Sequence, residues 1–402
     1  MAPVAATSPE ILADASSGTR AGRRRSGAAG HVDGLTGLRG FAALIVVLVH
    51  GSGLTTFPWL GLHGYGPIAL FVLSGFLLIQ PWSRWIVGVS DKPSVSTFAR
   101  RRVWRIFPAY LVVLVVTALV LPGSRPLEAD GWFRALTLTN TFSSDGLRHG
   151  MEHTWSLGTE LSWYVAVPLI AVAVATASRV RGLSHPVRPM IAAVVVAFLV
   201  AAAWRYHIFF RVEDFGQMIT FPLWLPAFII CFMLGALVAH LMIVEHHGLG
   251  SMRSLRWFAS HQWLVVVVAV VLGLVGNSQL GGPWTFQPAT FTEVTIRTAA
   301  CTLLALVLLV GVAVGKDDSI LNRFFSMRWL VATGRWSYGI YLWHMPAMLL
   351  IANELSIQPG VGGLVIWLGI LLAVAIPLGA LTYHFVERPA IAWSKGVPLS
   401  QR

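Results

Sequence analysis

The sequence predicts an all-α, polytopic membrane helix bundle of about ten transmembrane helices with both termini cytoplasmic. Three observations carry this. Hydrophobic residues make up 56% of the chain and charged residues only 11%, against roughly 25% charged in soluble domains. Ten segments are apolar over lengths that reach, or nearly reach, the ~20 residues that cross a ~30 Å hydrocarbon layer. The basic side chains fall between alternate segments rather than evenly. Only Arg125, Arg134, Arg148, Arg205, Arg211 and Arg297 lie on one side, and the other 23 of the 29 Lys and Arg lie opposite. Such a bias marks the cytoplasmic face. It also accounts for the formal charge of +12 without nucleic acid as a partner.

The elements follow in order. Residues 1–34, with Arg20, Arg23, Arg24 and Arg25 among Ala, Gly and Ser, read as a disordered basic cytoplasmic tail. The integral membrane domain is expected over 35–390 and a short cytoplasmic tail over 391–402. The first span, 38–54, follows the basic tail and has no small-residue cleavage site after it, so it reads as uncleaved. Span 65–82 is among the two weakest. Span 104–121 begins behind the run Arg100-Arg101-Arg102. The longest outer loop, about 122–153, separates it from span 154–177. Spans 190–208 (the other weak one), 221–243, 262–280 and 293–314 come next, then 332–353 and 363–386. Trp82, Trp104, Trp155 and Trp284 stand near span ends, as interfacial anchors do. Cys231 and Cys301 fall inside spans and offer neither a disulfide framework nor a metal-ligand spacing.

Four constellations bear chemistry. Arg39 and His50 are eleven positions apart in the first span, about three helical turns, so they share one stripe and stand about 16 Å apart along it. An ionisable imidazole near the bilayer midplane is costly and points to function; a positive-inside anchor at Arg39 with a histidine bonded to a neighbouring helix is the equal alternative. Arg102 and Arg105 are three apart at the start of the third span, hence on one face, where paired guanidinium groups suit phosphates. Arg100 and Arg101 read equally as headgroup contacts. The run His153-Thr154-Trp155-Ser156-Leu157-Gly158-Thr159-Glu160 opens the fourth span, with Glu160 about two turns inside. Its depth is similar to that of His50, so a Glu160–His50 pair would hold the imidazole as a general base; the alternative is an interhelical hydrogen bond that serves packing alone. The run Gly334 to Pro346 supplies Arg335 at the inner edge and a second midplane histidine, His344, which taken alone reads first as a satisfied core residue. His63, His149, Glu152 and His153 are expected to face outward, and Glu245-His246-His247 to lie solvated in an inner loop. No Gly-rich phosphate loop or nucleophile elbow is present.

Together these segments resemble the membrane acyltransferase-3 family, bacterial O-acyltransferases of cell-surface carbohydrates. The Gly37-Leu38-Arg39-Gly40 opening with His50 is similar to that family's first span, and Phe71-Val72-Leu73-Ser74-Gly75-Phe76 to its second. Arg102, Arg105, Ile106 and Pro108 fit the third. Trp155-Ser156-Leu157 with Glu160, Tyr164 and Pro168 fits the fourth. Ser337-Tyr338, Tyr341-Leu342-Trp343-His344 and Glu387-Arg388-Pro389 fit the end. The match runs in order over about 35–390. Thr36 stands where the family often has aspartate, and Leu161 and Ser162 where it has a second glutamate and a glutamine. The secreted hydrolase-like domain fused to some relatives is expected to be missing.

The resemblance implies an enzyme of the inner (cytoplasmic) membrane that moves an acyl group, acetyl by family prevalence, from cytoplasmic acyl-CoA to a sugar hydroxyl. That hydroxyl belongs to a cell-envelope carbohydrate or glycolipid, or to a secondary metabolite such as a macrolide glycoside. Acyl-CoA is then a co-substrate, with no permanently bound cofactor and no metal. On this reading His50 and Glu160 are catalytic, and Arg39, Arg102, Arg105 and Arg335 hold the CoA. Ser74, Trp155, Tyr164, Tyr338 and His344 support the substrates. Two other classes stay open: a proton-coupled transporter or flippase of a lipid-linked glycan, and a non-catalytic membrane partner. Turnover of acyl-CoA that depends on His50 separates the enzyme from both.

Overall fold

The computed structural model describes residues 28–396, apart from 62, 127, 144–146, 181–185 and 285–286. Most of the expected N-terminal tail, including Arg20, Arg23, Arg24 and Arg25, lies outside the described residues. So do Arg181 and Arg402. Every regular element among the described residues is helical. In order they are α1 (Ala28–Gly53), α2 (Tyr65–Ile86), α3 (Val95–Val120), α4 (Ala129–Thr137) and α5 (Trp155–Val180). Then come α6 (Arg188–Arg211), α7 (Phe215–Thr220), α8 (Leu225–His246), α9 (Arg253–Ser260) and α10 (Gln262–Gly276). The last are α11 (Phe291–Ala313), α12 (Ile320–Phe325), α13 (Arg328–Glu354), α14 (Gly360–Thr382) and α15 (Arg388–Ser394), with a π-helical turn at Tyr383–Glu387 joining the final pair. α1 thus starts seven residues before the expected tail boundary, and α15 reaches into the expected C-terminal tail.

Eight of these helical stretches are long and apolar enough to cross a membrane, and they match eight of the ten expected spans. The other two differ in kind. Span 262–280 is a 15-residue helix, about 22 Å long, which follows α9 through an 87° bend and counts as a ninth crossing only if the bent pair is one span. Span 332–353 is α13, long enough at 27 residues but less apolar than the eight. It carries Arg335, Ser337, Tyr338, Tyr341 and His344, and Ile340, Leu342 and His344 on it are fully buried. A helix with that much polar surface is stable inside a bilayer only when other helices surround it.

Glycine lets the central helices approach closely. A Cβ at Gly75 on α2 would overlap the Phe232 carbonyl on α8, and one at Gly235 on α8 would overlap the Val72 carbonyl on α2. The same reciprocity joins α1 to α13, where Gly40 meets the Leu330 carbonyl and Gly334 meets the Thr36 carbonyl. Such small-residue faces are how helices associate where lipid removes the usual hydrophobic drive. The result packs α13 against α1 and α14, and α2 against α8, α11, α1 and α5. α6 and α14 stay at the rim, with Val195, Val196, Phe198, Leu199, Val365 and Ile366 exposed, the apolar surface that a lipid-facing helix presents.

Candidate active site

Ser94 caps α3 by accepting a hydrogen bond from the Thr97 amide. The helix then turns Arg102 and Arg105 inward while Arg100 and Arg101 stay exposed. Arg102 and Arg105 join Arg39 from α1 in the wall of a cavity of about 120 Å³. Ser74 from α2, Ser156, Glu160 and Tyr164 from α5, and Ser337, Tyr338 and Tyr341 from α13 complete its polar lining. Leu70, Leu73, Leu77, Leu78, Ile106 and Leu157 make the rest apolar. The Arg102 guanidinium lies 5.6 Å from the Phe98 ring and 5.9 Å from the Tyr164 ring, a weakly hydrated cation seated on aromatic faces. No hydrogen bond or ion pair to the protein holds Arg39, Arg102 or Arg105 among the described residues.

A second, more open cavity of about 270 Å³ shares Arg39, Leu73, Leu77 and Arg105 with the first, and adds Leu35, Thr36, Gly334, Arg335 and Tyr383. Sharing these walls, the two cavities lie side by side, and we read them as one candidate passage with exposed Arg335 at its mouth and Ser156 and Tyr341 at its deep end.

Glu160 lies in this passage and not beside His50. Its Oε1 accepts a hydrogen bond from Ser74 Oγ at 3.0 Å, and Arg39 and Tyr164 are in electrostatic reach. No contact joins it to His50, which corrects the expected pair. The cause is packing: α5 lies against α2, α6 and α8, whereas α1 lies against α13 and α2.

His50 instead meets His344. His50 Nδ1 is 2.9 Å from the Val46 carbonyl, which can only accept, so Nδ1 carries the proton and Nε2 the lone pair. His344 Nδ1 is 2.5 Å from the Tyr341 carbonyl and is protonated by the same argument. His344 Nε2 is then an acceptor, and it lies 3.3 Å from His50 Nδ1. The hydrogen bonds thus leave His50 Nε2 as the free basic nitrogen, with His344 behind it in the place expected for Glu160.

His153, expected to face outward, is 2% exposed. Its ring lies 4.8 Å from that of His344 and 5.0 Å from that of Tyr341. Neither of its nitrogens makes a hydrogen bond. The Leu342 carbonyl, which Pro346 leaves without its helical donor, is in reach. Between the histidines and the cavity stand two hydroxyl groups. Ser156 Oγ and the Tyr341 hydroxyl are 2.8 Å apart, and Tyr341 donates to the His153 carbonyl.

The other expected residues divide cleanly. Tyr338 lines the cavity and donates to the Ile106 carbonyl at 2.8 Å, fastening α13 to α3. Trp155 is a packing residue, stacked on Phe228 with centroids 5.4 Å apart, and does not line the cavity. Four residues of the site were given no role from the sequence, although all four stand in the segments that carry the resemblance: Ser156, Ser337, Tyr341 and Glu387. Ser337, Tyr341 and His344 fall at i, i+4 and i+7, one stripe of α13, a signal the sequence does carry. Glu387 is fully buried on the π turn, with both carboxylate oxygens unbonded and Arg105 and Arg39 its neighbouring charges. Isolated π turns often accompany functional sites.

Comparison with known proteins places this geometry. The family model described as "Acyltransferase domain" matches residues 32–384. A putative peptidoglycan O-acetyltransferase, YrhL of Bacillus subtilis, is 24% identical over 374 residues, 89% of this chain and 55% of the relative. The acyltransferase MdmB of Streptomyces mycarofaciens is 27% identical over 394 residues, 89% of this chain and 91% of the relative. The O-acetyltransferase OatA of Staphylococcus aureus is 23% identical over 383 residues, 89% and 57%. The chain therefore spans little more than half the length of YrhL and OatA. No solved structure matches. With eight helices fit to cross a bilayer and the family model matching nearly its whole helical region, the chain is a multi-pass membrane protein that belongs to the acyltransferase-domain family.

Proposed function

We propose that the protein is an O-acyltransferase of the cytoplasmic membrane. It takes an acyl group from acyl-CoA entering on the cytoplasmic side and passes it to a hydroxyl of a cell-envelope carbohydrate or glycolipid. The observation that carries this reading is a cavity that gathers three guanidinium groups, Arg39, Arg102 and Arg105, near the carboxylates Glu160 and Glu387, and whose Tyr341 wall lies next to His344. Three guanidinium groups beside two carboxylates, with no direct ion pair among them, leave donors free for an anion, and the phosphates of CoA are such an anion. The names of YrhL and OatA favour acetyl as the group, and that of YrhL a cell-wall glycan as the acceptor.

In the reaction, His50 Nε2 removes the proton of the acceptor hydroxyl as its oxygen attacks the thioester carbonyl. The carbon–sulfur bond breaks, and the proton passes from the imidazolium to the departing thiolate. His344 accepts from His50 Nδ1 throughout, which fixes the ring and spreads the charge that His50 gains. Glu160, held by Ser74, balances the arginines on the donor side. The Ser156–Tyr341 contact must part for thioester and imidazole to meet.

General-base help of this kind contributes typically ~10²–10⁴ in rate. Purified protein given radiolabelled acetyl-CoA and envelope glycan should therefore lose about that factor in transfer on His50→Ala. Transfer that is indifferent to His50 removes the mechanism. Mass spectrometry of envelope glycans with and without the gene identifies the acceptor.

A further inference from the structure

Ser337 sits in the middle of α13, is 3% exposed, lines the donor cavity, and its hydroxyl makes no hydrogen bond. This is unusual on two counts. A serine inside a helix ordinarily donates to the carbonyl one turn back, as Ser162 and Ser178 do here. A buried hydroxyl without a partner also costs free energy, and the other serines of the cavity, Ser74 and Ser156, are both bonded.

The position of Ser337 says what it awaits. Along α13 it follows Arg335, which lies at the mouth, by two residues and precedes Tyr341, at the deep end, by four. At 1.5 Å per residue the span from mouth to deep end is about 9 Å. A CoA donor with its phosphates among the arginines and its thioester toward Tyr341 must run its pantetheine arm past Ser337. That arm is apolar apart from two amides and one hydroxyl, and the apolar wall of the cavity is leucine, isoleucine and Phe71.

We infer that Ser337 is a donor-binding residue whose hydroxyl donates to an amide carbonyl of the pantetheine arm. The inference rests on the acyl-CoA reading above and adds a polar contact that reads the arm itself, separate from the arginine contacts to phosphate. Any donor lacking these amides would leave the hydroxyl unpaired in a closed site and bind more weakly.

Ser337→Ala removes one atom that has no partner in the ligand-free protein, so the empty fold should be as stable as wild type or more so. Full-length protein in nanodiscs is to be melted alone, with coenzyme A, and with adenosine 3′,5′-bisphosphate, which lacks the arm. The expected result is an unchanged or higher midpoint without ligand and a smaller stabilisation by coenzyme A. Stabilisation by the bisphosphate should be unaltered. The KM for acetyl-CoA should rise about 3- to 10-fold, the worth of one net hydrogen bond, with kcat little changed. Equal coenzyme A stabilisation in variant and wild type overturns the assignment. So does a lower ligand-free midpoint, which would make Ser337 structural, or a fall in kcat at constant KM, which would move the contact to the reacting carbonyl. Wild-type protein that coenzyme A fails to stabilise overturns the donor reading itself.

Discussion

At the scale of single residues, the division of labour between His50 and His344 rests on which nitrogen each ring must protonate. Both Nδ1 atoms face carbonyls, so the pair has a direction, with His50 as donor and His344 as acceptor. Replacing His344 by phenylalanine keeps the ring volume and removes the acceptor. Hydrogen bonds to groups that become charged are worth about 1.5–3 kcal/mol. His344→Phe should therefore lower kcat roughly 10- to 100-fold while the KM for acetyl-CoA stays near wild type. The double variant with His50→Ala should be no slower than His50→Ala alone, since a residue that acts only through another adds nothing once that other is gone. Steady-state kinetics on the four proteins decide it, and additive losses would assign His344 a separate role. The stripe that joins Arg39 to His50 was legible from spacing alone. The partner of His50 was not, because equal depth in two helices says nothing of whether they are neighbours. His153 was misplaced for a related reason: adjacency to a loop in sequence looked like exposure, yet Tyr341 and His344 cover it.

At the scale of elements, the glycines decide which helices touch. Gly75 and Gly235 each face a backbone carbonyl of the other helix, and a carbonyl in a helix cannot swing aside as a side chain can. Gly75→Val should therefore cost more than the ~1–3 kcal/mol usual for overpacking. It should be seen as a lower melting midpoint together with lost transfer activity, because α2 also carries Ser74. Gly369 on α14 has open space around it, so Gly369→Ala should be neutral or stabilising by up to about 1 kcal/mol. Equal tolerance at the two positions would mean that α2 and α8 are not in contact as described. Apolarity and length made eight helices readable in the sequence. The same criteria say nothing of the 87° bend at His261 that divides α9 from α10, just before the 262–280 segment. They also say too little of α13, whose polar stripe is affordable only at the centre of the bundle.

At the scale of the molecule, the charge bias of the loops sets an orientation that the helix packing alone does not. Both natural cysteines are buried, so an introduced thiol can be read without interference. In intact cells, Lys92→Cys should resist a membrane-impermeant maleimide until the membrane is opened. Arg125→Cys should react at once. Both positions are exposed. The reverse pattern would turn the arginine-lined mouth outward and leave cytoplasmic acyl-CoA no way in.

The hydroxyl pair of Ser156 and Tyr341 has a bearing on the cell as well as on the reaction. Tyr341 lines the arginine cavity and lies 5.6 Å, ring to ring, from His344, so its hydroxyl contact with Ser156 stands where a wet path from the cavity to the histidines would run. An enzyme that hands a group from one compartment to the other would otherwise leak protons down a potential worth about 2.3 kcal/mol per charge at 100 mV. Two hydroxyl groups, 2.8 Å apart, stand where such a leak would pass.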